Sequence, residues 1–252
     1  MQYRQPILRA VELYKHFGGL VAVNQVSLDV YPGEVIGLVG DNGAGKSTFI
    51  KMVSGVLRPD AGQIFLDGNE ITFASPMEAR GRGIETIYQD LALCENLDAT
   101  VNIFLGREPV HKFLGLADVV DRRSMLKESR KVLDQLDIQI PNLRRPIRQM
   151  SGGQRQSVAI ARAVYWNARL MIMDEPTAAL GVAEQRKVLA LVRTLRERGV
   201  PVLIISHNMQ DVFAVADRIV VMRRGRKVGE RAANATTTDE LVSLMVGTAS
   251  GE

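Results

Sequence analysis

Four short stretches of the chain are rich in β-branched and bulky residues and do not alternate cleanly between apolar and polar. They are residues 35–39, 84–88, 170–173 and 202–205. Continuous runs of this kind fit strands of a parallel sheet covered on both faces. Between them fall helical patterns at residues 47–53, 154–165, 182–198 and 209–215. Strands alternating with helices predict an α/β sheet. The start of the chain differs. Residues 8–14 and 20–31 carry β-formers with no helix between them and end in the turn Pro32-Gly33. They predict a small antiparallel layer joined to the main sheet.

From Gln89 to Met150 the strand signals vanish. Residues 118–136 read as one charged amphipathic helix, and residues 141–146 as a proline-bounded loop. Residues 89–159 are therefore expected to form a mostly helical insert. Residues 1–88 and 160–252 would supply the core of a single domain spanning 1–252. The basic cluster at residues 223–227 reads as a hairpin turn with solvated charges, followed by a strand and a helix around residues 238–245.

Composition adds exclusions. With 46% apolar and 24% charged residues the chain is an ordinary globular one, so disorder is excluded. Cys94 is the only cysteine, which removes disulfides and thiolate metal clusters and fits a reducing compartment. No apolar run approaches the ~18 residues that span a bilayer, and residues 1–10 hold no signal-peptide core. The expectation is a soluble cytosolic chain that reaches a membrane only through a partner. The net charge of +4 permits an anionic partner without demanding one. Aromatics are 5% and do not interleave with cations, so no nucleic-acid partner is expected.

The chemistry is concentrated in three places. The run Gly40-Asp41-Asn42-Gly43-Ala44-Gly45-Lys46-Ser47-Thr48 matches G-x-x-x-x-G-K-[ST], between a strand and a helix. Glycines let the backbone curl so that successive N–H groups face phosphate oxygens. The helix start adds its positive end. Lys46 would reach the β- and γ-phosphates, and the Ser47 hydroxyl would ligate Mg²⁺. The strand at 170–173 runs into Asp174-Glu175-Pro176, carrying two acids to the strand end where α/β sheets bind ligands. Asp174 would hold Mg²⁺, and Glu175 would polarise the attacking water as general base. Third, Met150-Ser151-Gly152-Gly153-Gln154 opens another helix with a good N-cap and close backbone access. By itself it fits either a second anion site or a plain capped helix start.

The string Ser151-Gly152-Gly153-Gln154 resembles the signature of ABC-transporter ATPase subunits, and the other elements of that family occur in order. Gln89 resembles its Q-loop glutamine, which also approaches the metal, and His207 its switch histidine. Phe17 stands in the place of the aromatic that stacks on adenine, with Tyr14 as the alternative. The resemblance implies a P-loop NTPase core with a mostly parallel sheet, an N-terminal antiparallel β layer and a helical insert subdomain. It implies ATP and Mg²⁺ as ligands and a head-to-tail dimer. In that dimer each ATP would lie between one subunit's phosphate loop and the Ser151 helix start of a second copy. His207 would contact the γ-phosphate. Where the family's D-loop usually ends in aspartate, this chain has Gly181, which puts the coupling of the two sites in question.

The segment Asn102-Ile103-Phe104-Leu105-Gly106-Arg107-Glu108-Pro109 resembles the ATPases of bacterial monosaccharide importers of the ribose, xylose and fructose type. That resemblance implies membrane permease subunits as partners and, indirectly, an extracytoplasmic sugar-binding protein. It also implies a peripheral place on the cytoplasmic face of the inner membrane. The helical insert would touch the permease, with Gln89 at its hinge. The alternatives are an ABC transporter for a non-sugar substrate, or a soluble ABC ATPase acting on ribosomes or DNA.

Overall fold

The computed structural model describes residues 5–113 and 117–248. Residues 1–4, part of the stretch read as lacking a signal core, and residues 114–116 of the insert lie outside the described residues. β1 (Leu8–Phe17) and β2 (Leu20–Val30) form an antiparallel pair, Leu8 opposite Val30 and Phe17 opposite Leu20. β3 (Val35–Val39) is buried at every position and leads into α1 (Lys46–Val53). β4 (Ala61–Leu66) returns to pair with β1, and β5 (Asn69–Ile71) completes a four-stranded antiparallel sheet, β2-β1-β4-β5. A short α2 (Pro76–Gly81), capped by Ser75, precedes β6 (Ile84–Ile87).

The insert holds α3 (Ala99–Phe104), a hairpin of β7 (Val110–Phe113) and β8 (Ala117–Val120), and α4 (Arg122–Gln135). α5 (Gly152–Tyr165) starts inside the expected insert and runs past it. Then come β9 (Leu170–Asp174), α6 (Val182–Glu197), β10 (Val202–Ile205) and α7 (Met209–Val215). β11 (Arg218–Arg223), β12 (Arg226–Ala232) and α8 (Thr238–Val246) close the described chain.

The second sheet has six strands in the order β12-β11-β3-β10-β9-β6, parallel except for β12. The continuous apolar runs are its inner strands. β3 and β10 are buried at every residue and β9 at all but Asp174, because helices or the antiparallel sheet cover both faces. One core lies between the two sheets and packs Leu13, Val23, Ile36, Phe49 and Ile64. A second joins α3, α4, α5 and α6 through Ile103, Met125, Val158 and Val192. Arg218 ties the two sheets together. Its Nε donates to Glu34 Oε1 (2.8 Å) and its Nη2 to Asp29 O (2.6 Å), while Nη1 donates to Glu230 Oε1.

One expectation needs correction, and one hairpin was not foreseen. Residues 118–136 are not one helix: 117–120 form β8, whose Val120 pairs with Val110. The helix begins only after Asp121, whose carboxylate accepts from Ser124 N at 2.9 Å and caps it. The insert is thus helices with a hairpin. The β4–β5 hairpin, absent from the sequence reading, turns at Asp67-Gly68.

Candidate functional site

Three strand ends of the parallel sheet converge at one edge. β3 delivers the phosphate loop, β9 delivers Asp174 and Glu175, and β10 delivers Ser206 and His207. In the register of the sheet, Ile205 lies beside both Leu38 and Asp174, so the loop and the acids flank β10. Ligands bind at such strand ends because the loops and helix starts gather there.

The phosphate loop turns on Gly45, the N-cap of α1, at φ 99° and ψ 0°. That is left-handed space, and a Cβ there would sit 2.3 Å from Ala22 O, so only glycine fits. Asn42, Gly43 and Ser47 are exposed, Thr48 is half-buried and Ala44 is buried against the core. The Lys46 ammonium donates to Gly40 O and to Asp41 O (3.0 Å). Burial pushes this ammonium below the ordinary lysine range, and the charges of Glu175, Asp41 and Asp174 oppose the push. Lys46, Asp174 and Glu175 therefore share one electrostatic site. Burial raises the Asp174 carboxyl above the usual carboxylate range and the Glu175 charge adds to it, while Lys46 and Lys51 pull it down.

Glu175 takes φ 52°, unusual for a residue with a side chain and costing about 1–3 kcal/mol. Its backbone N donates to Ile205 O (2.9 Å), which fixes the bend. The bend turns the carboxylate toward His207: the His207 backbone N donates to Oε1 (3.1 Å), and the imidazole Nδ1 lies 2.8 Å from Oε2. Glu175 is 19% exposed and His207 76%, so the imidazole projects into solvent from a partly buried acid.

Gln89, just beyond β6, lines a cleft of about 270 Å³ together with Glu175, Gly152 and Arg155. Phe17 ends β1 with 47% of its surface exposed; Lys15 Nζ stands 5.8 Å from its ring centre. Tyr14 is half-buried and lies beside His16. Ser151 caps α5 in a reciprocal box: its Oγ accepts from Gln154 N (3.3 Å), and Gln154 Oε1 accepts from Ser151 N (3.1 Å). Among the described residues no hydrogen bond joins this segment to the phosphate loop of the same chain. Ser151, Gly153 and Gln154 instead line a separate cavity of about 430 Å³ with Glu184.

Two buried pairings were invisible in the sequence. Thr177 Oγ1 donates to Asp211 Oδ2, linking the loop after Glu175 to α7. The Asn102 side chain clamps the loop before α3, accepting from Cys94 N and donating to the carbonyls of Cys94, Leu97 and Asp98.

The sequence profile of the ABC transporter family matches residues 23–178. The chain belongs to that family. Its members' ATP-binding subunits bind and hydrolyse ATP, and this chain is such a nucleotide-binding ATPase. It is 46% identical to the xylose/arabinose import ATP-binding protein of Sulfolobus acidocaldarius, covering 98% of this chain and 96% of that one. It is 47% identical to the fructose import ATP-binding protein of Rhizobium meliloti, covering 97% and 95%. A ribose import ATP-binding protein of Rubrobacter xylanophilus is 44% identical, and there the chain spans 47% of the relative's length. Among solved structures, a nucleotide-free ATP-binding cassette of an ABC transporter superposes with TM-score 0.82 at 27% identity, over 95% of this chain and 98% of that one. An ADP-bound cassette gives 0.80 at 27%, over 96% and 95%. The ABC cassette architecture, α/β with an antiparallel layer, is thus that of this chain.

Proposed function

We propose that this ABC ATPase powers monosaccharide import through a membrane permease. Two near-full-length relatives named for pentose and fructose import support the substrate class. No helix among the described residues is long and apolar enough to cross a membrane, so the permease would supply the path. The chain would sit peripherally on the cytoplasmic membrane face, and an extracytoplasmic binding protein would deliver the sugar. Residues 89–159, helices with the β7–β8 hairpin, would act as the subdomain that contacts the permease, hinged at Gln89.

The observation that carries the chemistry is Glu175, held at a strained bend beside His207 and in the field of Lys46. The phosphate-loop backbone from Gly40 to Thr48 would bind the phosphates, and Lys46 would neutralise them. Phe17 would stack on adenine. Glu175 would take a proton from water as the water oxygen attacks the γ-phosphorus. The bond to the β–γ bridging oxygen then breaks, releasing ADP and phosphate. His207 would orient Glu175 and touch the γ-phosphate. Ser47, Gln89 and Asp174 offer hydroxyl, amide and carboxylate oxygens, a hard donor set that suits Mg²⁺. When bound, Mg²⁺ supplies charge neutralisation at the β- and γ-phosphates. The segment Ser151 to Gln154, whose polar groups are held in its own capping box, would close on the nucleotide of a second copy.

Glu175→Gln tests this reading. It should bind ATP and hydrolyse it at least ~10²-fold more slowly. With Mg-ATP, and not with ADP, it should elute as a dimer on size exclusion. Wild-type hydrolysis by the variant would refute the base assignment, and a monomer at saturating ATP would refute the sandwich. Uptake of radiolabelled xylose, fructose and ribose by cells with and without the gene tests the substrate class. Unchanged uptake of all three would overturn it.

A further inference from the structure

Three hydrogen bonds tie one acid to the end of β1. Asp60 lies in the loop that leaves α1 and precedes β4, so it stands between the helix of the phosphate loop and the strand that ends at Phe17. Its backbone N donates to Tyr14 O (2.9 Å). Its carboxylate accepts from Lys15 Nζ at Oδ1 (2.6 Å) and from His16 N at Oδ2 (2.8 Å). Asp60 thus bonds to three successive residues directly before Phe17. The His16 N–H, and then Lys15, hold its carboxyl below the usual carboxylate range.

β1 needs such a hold because it is not a regular strand. Its pairing with β2 shifts register between Ala10 and Leu13, between Leu13 and Lys15, and again between Lys15 and His16. Glu12 takes φ 49°, and Gly62 of β4 passes so close that a Cβ on it would lie 2.5 Å from Glu12 O. A bulge bends a strand and re-aims the side chains beyond it. A slip of one residue moves each side chain to the other face. The ladder with β2 therefore specifies the aim of Phe17 only loosely, and Asp60 fixes it twice. The bond to His16 N fixes the backbone before the ring. The bond to Lys15 fixes the ammonium, which stands over the ring 5.8 Å from its centre. That is within the ~6 Å at which a cation is drawn to an aromatic face. The Lys15 side chain is 15% exposed and Phe17 47%, so the cation is packed in while the ring stays open.

We propose that Asp60 is a positioning residue for nucleotide binding: its bonds to Lys15 and His16 aim Phe17 so that the open side of the ring meets the base. The inference rests on the reading of Phe17 as the stacking residue. Asp60 follows α1, whose first residues are Lys46 and Ser47, so it also sets the ring relative to the phosphate loop. A nucleotide bridges those two points. A ring held in place beforehand lowers the ordering cost of binding.

The test uses the purified full-length chain and two probes. ADP carries the base and fills the phosphate loop, whereas inorganic pyrophosphate fills the loop alone. ADP affinity is read by titration calorimetry, and pyrophosphate binding by the rise in melting temperature it causes at millimolar concentration. Phe17→Ala should weaken ADP at least about fivefold, the low end of base–aromatic stacking. Asp60→Ala should lose part of the same affinity, about threefold or more, and keep the wild-type pyrophosphate shift. Because Asp60 acts through the ring, the double variant should bind ADP within about twofold of Phe17→Ala alone. Asp60→Asn keeps an oxygen for His16 N and should fall between wild type and Asp60→Ala. If Asp60→Ala does not fold, Lys15→Met takes its place. That variant leaves the Asp60–His16 bond intact and should lose ADP affinity about twofold or more, with pyrophosphate unaffected. Wild-type ADP affinity in Asp60→Ala, beside a loss in Phe17→Ala, would overturn the role of Asp60 and leave the stacking standing. So would a double variant in which the two losses multiply, or a pyrophosphate shift that falls together with ADP affinity. Wild-type ADP affinity in Phe17→Ala would overturn the stacking, and this inference with it.

Discussion

The Thr177 hydroxyl donates to Asp211 Oδ2 at 2.6 Å, with the two residues only 4% and 5% exposed. Thr177 lies in the loop leaving Glu175, and Asp211 lies in α7, just after His207. One buried bond therefore holds the two halves of the Glu175–His207 contact in register. Thr177→Val keeps the shape and leaves a buried carboxylate oxygen without its donor. It should cost about 1–3 kcal/mol in urea unfolding, and Thr177→Ser should recover most of it. An unchanged unfolding midpoint for the valine variant would show that the bond holds nothing.

Phe17 and Tyr14 are separated by their surroundings. Phe17 is about half exposed at the end of β1, whereas Tyr14 is part of the sheet beside Ala61. Phe17→Ala should weaken ATP binding by about 1–3 kcal/mol, the scale of base–aromatic stacking, with little change in melting temperature. Tyr14→Ala should do the reverse. Titration of both variants with ATP decides the matter, and a larger affinity loss from Tyr14→Ala would transfer the stacking role.

Gly181 has extended backbone, φ −69° and ψ 158°, and an added Cβ would meet nothing within 4 Å. Aspartate fits there without strain, and its side chain would cap α6. Gly181→Asp should therefore stabilise the fold slightly, by about 0.5 kcal/mol. It should alter cooperativity in ATP concentration more than nucleotide affinity. Calorimetric melting and hydrolysis curves check the two halves separately.

Arg218 faces Glu34 and Glu230 at the joint between the sheets. Arg218→Met should cost about 2 kcal/mol at neutral pH, less than the ~3–5 kcal/mol of a fully buried pair. Burial alone would raise the Glu230 carboxyl, but hydrogen bonds from Arg218 and Lys227 overcome it and hold the group below its ordinary 4.5. A depressed acid stabilises the fold above its unfolded value and loses that contribution as pH falls through the folded one. The gap between wild type and Arg218→Met should thus be full at pH 7 and shrink below pH 4.5. Urea titrations at neutral and acidic pH measure it.

The inner strands were legible because burial on both faces leaves a continuous apolar run, and β10 matches its expected bounds, Val202–Ile205. The phosphate loop and the Asp174-Glu175 pair were legible because their chemistry needs particular residues in unbroken succession. β4 was not: only Ile64 and Leu66 of Ala61–Leu66 are buried, too few to show a pattern. Its turn at Asp67-Gly68 was an available hairpin signal. β8 was masked because Asp118 and the charges after Val120 merge into the helical period of α4. Thr177 with Asp211 and Arg218 with Glu34 were illegible for a different reason. Each pair joins residues far apart in the chain, and no spacing rule announces a contact made only by folding.

The place of β3 in the sheet also sets an order of events during synthesis. The antiparallel sheet closes entirely within Leu8–Ile71, so its contacts are available while the ribosome is still making the insert. β3 itself waits for β10 and β11, which begin at Val202 and Arg218. At roughly 5–20 residues per second that delay is on the order of ten seconds. Throughout it the strand that carries the phosphate loop has an open edge on both sides, a condition that favours aggregation. The early β-sheet covers one face of β3 during this interval, so the layer that carries Phe17 first serves to shelter the nascent chain.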